Sequence, residues 1–473
     1  MNDSTLPMHT PSGDAYQRAL SFLHGQINYE KMSGSNANRY RFRLQRMNEL
    51  LSDLGLAHFL HSCNPSPPVP LIHIAGTKGK GSVAAMVSAI LTASGFRTGL
   101  YTSPHLHRLE ERFKVDGQPC SSEDLTTLVA ELRRVVENQP SSTDSRSQSD
   151  NPSFFELTTA LALLHFQRSN CQAIVLEVGL GGRLDSTNVC SPSISVVTSI
   201  GLDHQHVLGN NLVEIAAEKA GIIKNGVPVV SGVTDRGAQA VVESTARANH
   251  CEFWQLGRDF RFESAQDAHW GSRLSYTGPG KPGLQIDTVL PLEGEHQCRN
   301  AAIALAAIQA LEKQGIPLSP EAMVDGLTGL TCPGRVERFL LADNVLAVVD
   351  VAHNEDSVAA LCDCLRSRFS DRHITVVFGT SVDKSAQVML RQLTAIGDEI
   401  LLTRFHGNPR FVEPDDLLPM LPKDWSGNVE VIAEPVAACE TALEKIPADG
   451  VLVVCGSFFL AAETRPWIVS KSK

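Results

Sequence analysis

A chain of 473 residues is too long for one ordinary core, and with 42% hydrophobic and 20% charged residues it reads as globular, in two or three domains. A net charge of −11 argues against nucleic acid as the main partner, since such domains are usually basic, but a local basic site could still bind an anionic small molecule. Met1 to Gly13 is polar without an apolar leader core, no apolar run nears the roughly 18 residues of a membrane span, and the eleven cysteines lack zinc spacing; a cytoplasmic protein with free thiols and no membrane partner is expected.

In chain order, residues 14–60 read as helical, with Leu44, Met47, Leu50 and Leu51 of the stretch from Tyr40 to Leu51 on one face. The proline-rich stretch from Cys63 to Pro70 ends that unit. A short apolar strand, Leu71 to Ala75, then runs into Gly76-Thr77-Lys78-Gly79-Lys80-Gly81-Ser82, and a helix is expected from Ser82 to about Ser94. Asn138 to Ser153 is a low-complexity surface loop. Helix 155–167, strands 173–176 and 194–199, helix 212–220 and strand 227–231 follow. This alternation implies a parallel sheet covered on both faces.

Residues 250–295 suggest a small antiparallel insertion, followed by a long helix from Cys298 to Lys313. Thr331-Cys332-Pro333-Gly334-Arg335 looks like a hinge. Beyond it, strands 345–350, 374–378 and 451–454 and helix 356–369 form a second, smaller α/β domain. The fold class is therefore α/β: a phosphate-loop domain over 1–330, a hinge at 331–335 and a Rossmann-like domain over 336–473. No internal repeat is visible.

A triphosphate needs convergent backbone N–H groups and a cation. Gly76, Gly79 and Gly81 let the loop curl, Lys80 brings charge, and Ser82 opens a helix whose N-terminus is itself partly positive. The strict pattern G-x-x-x-x-G-K-[ST] is broken by Gly81, so a plain glycine-rich turn is the competing reading. Glu177 and His204 each follow a strand, where a nucleotide's Mg²⁺ commonly finds ligands; alone Glu177 is equally an ordinary strand-end charge and His204 a solvated loop histidine, but the two together beside the loop favour the metal. The hydroxyls of Tyr101-Thr102-Ser103 could reach the same metal.

Lys219 shares a helical face with Leu212, Ile215 and Ala216. It is either a buried, neutral amine able to form a carbamate with CO₂ or a lysine that extends its charge to the surface; spacing alone favours the second. Asn300 is expected at the inward start of the long helix, as a cap or as a ligand contact.

The segments HIAGTKGKGS at 73–82, TSPHL at 102–106, LEVGLGGRLDSTN at 176–188, LDH at 202–204, AAEKAGIIK at 216–224, CPGRVERF at 332–339 and DVAHNEDS at 350–357 occur in one order. In this the chain resembles the folylpolyglutamate synthase and dihydrofolate synthase family of the Mur ligase superfamily. The resemblance implies that Gly79, Lys80, Gly81, Ser82, Asn300, Arg335 and Asp350 bind ATP, and that Ser103, Glu177, His204 and a carbamylated Lys219 hold two Mg²⁺ ions. It implies that Lys80, Lys219 and His353 serve catalysis, and that Phe154, Phe155, Glu156, Leu184, Asp185 and Ser186 line a pterin-side pocket. The family often has Asn at Lys78, Gly at Val351 and Pro at Glu355.

The implied reaction joins L-glutamate to the carboxylate of a folate or of dihydropteroate through an acyl phosphate, with the protein acting as a monomer. Competing readings are a Mur ligase for another carboxylate, a P-loop ATPase that moves a partner, and an inactive binding protein. The second domain with Asp350 and His353 argues against an ATPase switch.

Overall fold

Continuous apolar runs, rather than alternation, mark strands buried on both faces. Leu71–Ala75 (β1) and Ala173–Glu177 (β5) are buried along their whole length. The computed structural model describes residues 13–26, 44–138 and 151–472. Beside β1 and β5 stand Thr98–Tyr101 (β2), Phe113–Val115 (β3), Gln118–Pro119 (β4), Ile194–Val197 (β6), Val229–Ser231 (β7) and Phe253–Gln255 (β8). They form one eight-stranded sheet in the order β4-β3-β2-β5-β1-β6-β7-β8. The pairs β1–β5, β1–β6 and β2–β5 are parallel, while β3 and β4 close one edge antiparallel. Helices Lys80–Ala93 and Glu295–Glu312 cover one face. Asp14–His24, Leu44–Asp53, Ser122–Asn138 and Phe154–Arg168 cover the other.

The insertion is a three-stranded antiparallel sheet of Arg261–Gln266 (β9), Ser272–Gly280 (β10) and Gly283–Leu290 (β11). Past the hinge, Glu337–Leu340 (β12), Leu346–Val349 (β13), Ile374–Phe378 (β14), Glu399–Leu402 (β15), Asn428–Val431 (β16) and Val451–Cys455 (β17) form a second sheet in the order β12-β13-β17-β14-β15-β16. Only β12 runs antiparallel there. Trp270 of the insertion packs on the second domain between the guanidiniums of Arg338 and Arg368, which lie 4.8 and 5.7 Å from its ring. Arg368 also reaches Glu293 at 2.5 Å and the carbonyls of Asp267 and Gly271.

Several expectations shift. The phosphate-loop helix begins at Lys80 rather than Ser82 because Gly79, with φ +81, turns the chain into it. The long helix begins at Glu295, so Asn300 lies inside the helix and does not cap it; Gly294 precedes the first turn. Phe253–Gln255 joins the large sheet as its edge strand and is not part of the insertion. Among the described residues of 14–60, helices Asp14–His24 and Leu44–Asp53 and a short 3₁₀ turn, Ala57–Phe59, bear out the helical reading, and residues 27–43 lie outside the described residues. Residues 40–43 of the amphipathic stretch and most of the low-complexity loop lie outside the described residues. Among the described residues no helix is long and apolar enough to cross a membrane, and all eleven cysteines are unpaired.

Candidate active site

The phosphate loop leaves the carboxyl end of β1, where parallel sheets place their ligands. Any side chain at Gly76 would collide with Thr198, and one at Gly79 with the Asn300 amide, so both positions require glycine. The loop is tied to the strand end of β6. Thr77 N–H donates to the Ser199 carbonyl at 2.8 Å and Lys78 N–H to Ser199 Oγ at 2.9 Å, while the Thr198 hydroxyl donates to the Lys78 carbonyl at 2.6 Å. Lys80, Gly81 and Ser82 form the first helical turn, whose N–H groups have no acceptor within the helix.

Glu177 ends β5 beside this turn and is 4% exposed. Its Oε2 accepts the Ser103 N–H at 3.0 Å. A Cβ at Gly81 would sit 3.5 Å from that same oxygen, so the glycine that breaks the strict loop pattern is the one that faces the carboxylate. Burial raises the Glu177 pKa, opposed by the positive charges of Lys80 and Arg335.

Lys219 is also 4% exposed, and its Nζ donates to the Gly76 carbonyl at 3.0 Å. Burial, reinforced by Lys80, pushes its pKa down to about 7, so much of this amine is neutral at ordinary pH. His204 sits in the left-handed region at φ +50, turning its ring over Asp203 with Nε2 3.9 Å from Oδ1. Its side chain is 43% exposed.

The second domain faces this cluster. Arg335 leaves the hinge, and its charge reaches both Glu177 and Asp350. Buried Asp350 accepts the Val336 and Ala352 N–H groups, each at 2.7 Å. His353 Nδ1 lies 2.8 Å from the Val351 carbonyl. Burial holds the His353 pKa down at about 3, so the ring is neutral and Nδ1 donates to that carbonyl. Asn300 is buried against Gly79 and donates to Gln297 at 3.1 Å.

The segment expected to line a pterin pocket behaves differently. Phe154 is buried beneath Arg112. Glu156 accepts from Ser153 in a capping box and is forked by Arg46 at 2.7 and 2.9 Å. Asp185 accepts from Gly179, Leu180 and Thr187, and Ser186 Oγ lies 2.7 Å from Thr159 Oγ1. Phe155 and Leu184 are half-buried, and the Phe155 ring lies across Gly179.

Sequence reasoning missed the loop's anchors Thr198 and Ser199, and it missed Asp203, which contacts Lys78, Lys384 and Asn354. Its place in the LDH segment at 202–204, beside His204, was the available signal for Asp203; nothing local marks Lys384.

The Mur ligase middle domain family matches residues 74–308, and the Mur ligase glutamate ligase domain family matches residues 334–458. The dihydrofolate synthase/folylpolyglutamate synthase of Bacillus subtilis is 32% identical over 455 residues, covering 95% of this chain and 98% of that protein. The chain belongs to the folylpolyglutamate and dihydrofolate synthase family of Mur ligases. Members of this family are ATP-dependent amide-forming ligases, and this chain is such an enzyme. The structure of Mycobacterium tuberculosis folylpolyglutamate synthase complexed with ADP superposes with a TM-score of 0.84 at 29% identity, covering 97% of this chain and 99% of that one. Escherichia coli FolC in complex with DHPP and ADP gives a TM-score of 0.80 at 27% identity, covering 96% and 98%.

Proposed function

We propose that this ligase joins the amine of L-glutamate to the carboxylate of a folate-type substrate, with dihydropteroate as a second carboxylate for the same site. The observation that carries the reading is the placement of a glycine-lined, lysine-bearing loop directly against buried Glu177 and Lys219, faced by Arg335 across the hinge at 331–335. The ligase names of the relatives and the DHPP and ADP held by the E. coli protein point the same way.

In this reading Gly79, Lys80, Gly81 and Ser82 bind the phosphates of ATP with backbone N–H groups and one ammonium, with Asn300, Arg335 and Asp350 completing the nucleotide site. The γ-phosphoryl group passes to the substrate carboxylate, giving an acyl phosphate and ADP. The glutamate amine adds to its carbonyl carbon and loses a proton, and phosphate leaves from the tetrahedral intermediate. Lys80 offsets charge on the transferring group. Closure of the two domains keeps water from the acyl phosphate.

The residues fit Mg²⁺ conditionally. Glu177 is a buried carboxylate with no ion pair among the described residues, the kind of hard oxygen donor that Mg²⁺ takes. Yet no three His, Cys, Asp or Glu side chains converge among the described residues, and Lys80 brings positive charge to the surroundings. The ion therefore belongs here together with the polyphosphate, held by Ser103, Glu177 and His204, and a second ion belongs with a carbamate on Lys219. When bound, Mg²⁺ would neutralise phosphate charge. Phe155 and Leu184 offer apolar surface to the pterin end, while Phe154, Glu156, Asp185 and Ser186 hold that surface in place.

The test is direct. Purified protein receives ATP, Mg²⁺ and glutamate with either tetrahydrofolate or dihydropteroate. ADP release that depends on the pterin compound, with a product one glutamate heavier, is expected; absence of both with either compound would sink the reading.

A further inference from the structure

Asp203 stands where the two domains meet. Its Oδ2 accepts Lys78 Nζ of the phosphate loop at 3.0 Å, and its Oδ1 accepts Lys384 Nζ of the second domain, also at 3.0 Å. Asn354, which caps the helix Glu355–Phe369, reaches Oδ2 at 3.3 Å, and the His204 N–H reaches Oδ1 at 3.0 Å. Behind Lys384 lies Asp383 at 3.6 Å, itself 3.8 Å from Arg410. The side chains of Asp203, Lys384 and Lys78 are 12, 14 and 28% exposed.

Two ammonium groups from different domains thus share one carboxylate. Without it they would face each other, with Lys80 adding to the positive field. The other contact described above between the domains differs in kind. At Trp270, an aromatic ring between two guanidiniums and a largely buried Arg368–Glu293 pair join the insertion to the second domain. That contact uses no group of the active site. The Asp203 contact is electrostatic, partly open to water, and built from the phosphate loop itself, so it is the one that ligands and salt can break.

We propose that Asp203 is a positioning residue that clasps the cleft: it fixes the second domain's Lys384 and Asn354 against the phosphate loop, and its release opens the cleft while the Trp270 contact holds. Lys78 belongs to the clasp and is not aimed at phosphate, which gives its departure from the family's usual Asn a physical role. The kinetic consequences rest on the ligase reading; the clasp itself does not.

The experiment compares the full, ligand-free chain with Asp203→Asn, Lys384→Met, Lys384→Arg and the Asp203→Asn/Lys384→Met pair, using small-angle scattering and hydrogen exchange at low and high salt. The parent chain is expected to be compact at low salt and to expand as salt rises. Asp203→Asn and Lys384→Met should be expanded throughout, their closed-to-open ratio falling by about tenfold or more. The double variant should go no further than either single one, and Lys384→Arg should remain compact.

In turnover the opened variants should release several-fold more ADP per amide formed than the parent chain, and KM for ATP should rise, because opening draws Arg335 and Asp350 away from the phosphate loop. Scattering by Lys384→Met identical to the parent at low salt would overturn the clasp, and so would added exchange in the two singles that simply sums in the double. Since these readouts need no substrate, failure of the ligase reading would appear separately, as missing product beside normal closure. Lys384→Met, in the second domain, decides the question even if Asp203→Asn folds poorly.

Discussion

The phosphate-loop cluster and the proposed pterin-side segment stand close along the same sheet, yet they treat their charges in opposite ways. Lys80 and Lys219 carry no ion pair among the described residues, and buried Glu177 has only the Ser103 N–H as its recorded donor. Glu156 and Asp185, by contrast, are saturated by Arg46, Ser153, Thr187 and the backbone of the 179–182 turn. The cluster is costly for the protein to hold and becomes favourable when an anion and a cation arrive; the segment is already satisfied and serves as frame. Matching a family motif does not separate the two. Hydrogen-bond accounting does.

The largest effect that sharpens this contrast is expected at Lys80. Lys80→Ala should lower ADP release by about 10³-fold or more, since in the proposed mechanism it removes the cation facing the transferring phosphate. Its melting temperature should hold or rise slightly, because a charge repelling Lys219 is gone. A variant that loses its fold along with its activity would place Lys80 in the frame instead. Asp185→Ala should do the reverse. It strips acceptors from Gly179, Leu180 and Thr187, and urea denaturation should show a loss of about 2–4 kcal/mol. Activity per folded molecule should then fall only as far as the 179–182 turn loosens. Full stability with abolished activity would turn Asp185 into a substrate contact and break the comparison.

How far the sequence carried this picture depends on range. Strands such as Leu71–Ala75 and Ile374–Phe378 were legible because burial on both faces writes a continuous apolar run. The loop was legible because glycine spacing and strand–helix context are local. Asn300 was misplaced within its helix because Glu295, His296 and Gln297 carry no apolar periodicity, although Gln297 is buried. Lys219 was read from spacing as a surface-reaching lysine; its real partner, the Gly76 carbonyl, lies 143 residues away. The Asp203–Lys384 contact spans 181 residues, and no window of sequence contains it.

Within the pterin-side segment, Phe155 is the side chain that bears on where frame ends and site begins. Its ring lies over Gly179 and 5.8 Å from Tyr101, half-buried while its neighbours are buried. Phe155→Ala should raise KM for the pterin-bearing substrate about tenfold, the scale of a lost aromatic contact, and leave KM for ATP unchanged. Equal rises in both constants would mean that the ring supports the sheet edge rather than the substrate.

The smallest effect is a slope with pH, and it reports directly on the tension in the cluster. Lys219 has a pKa of about 7 in the folded chain against an ordinary 10.5 when unfolded. Between those values the unfolded chain binds the extra proton, so this lysine destabilises the fold fully below pH 7 and progressively less as pH rises. From pH 7 to 8 it should add about 1 kcal/mol to stability. Lys219→Met, which keeps the apolar stem and removes the amine, should flatten that rise in denaturation curves. The same neutral amine is what CO₂ would capture, so bicarbonate should restore activity to a CO₂-depleted parent chain above pH 7 and do nothing for Lys219→Met. Parallel pH curves for the two proteins would mean that Lys219 keeps an ordinary charge in the folded state, and the contrast between a strained cluster and a satisfied frame would then rest on Lys80 and Glu177 alone.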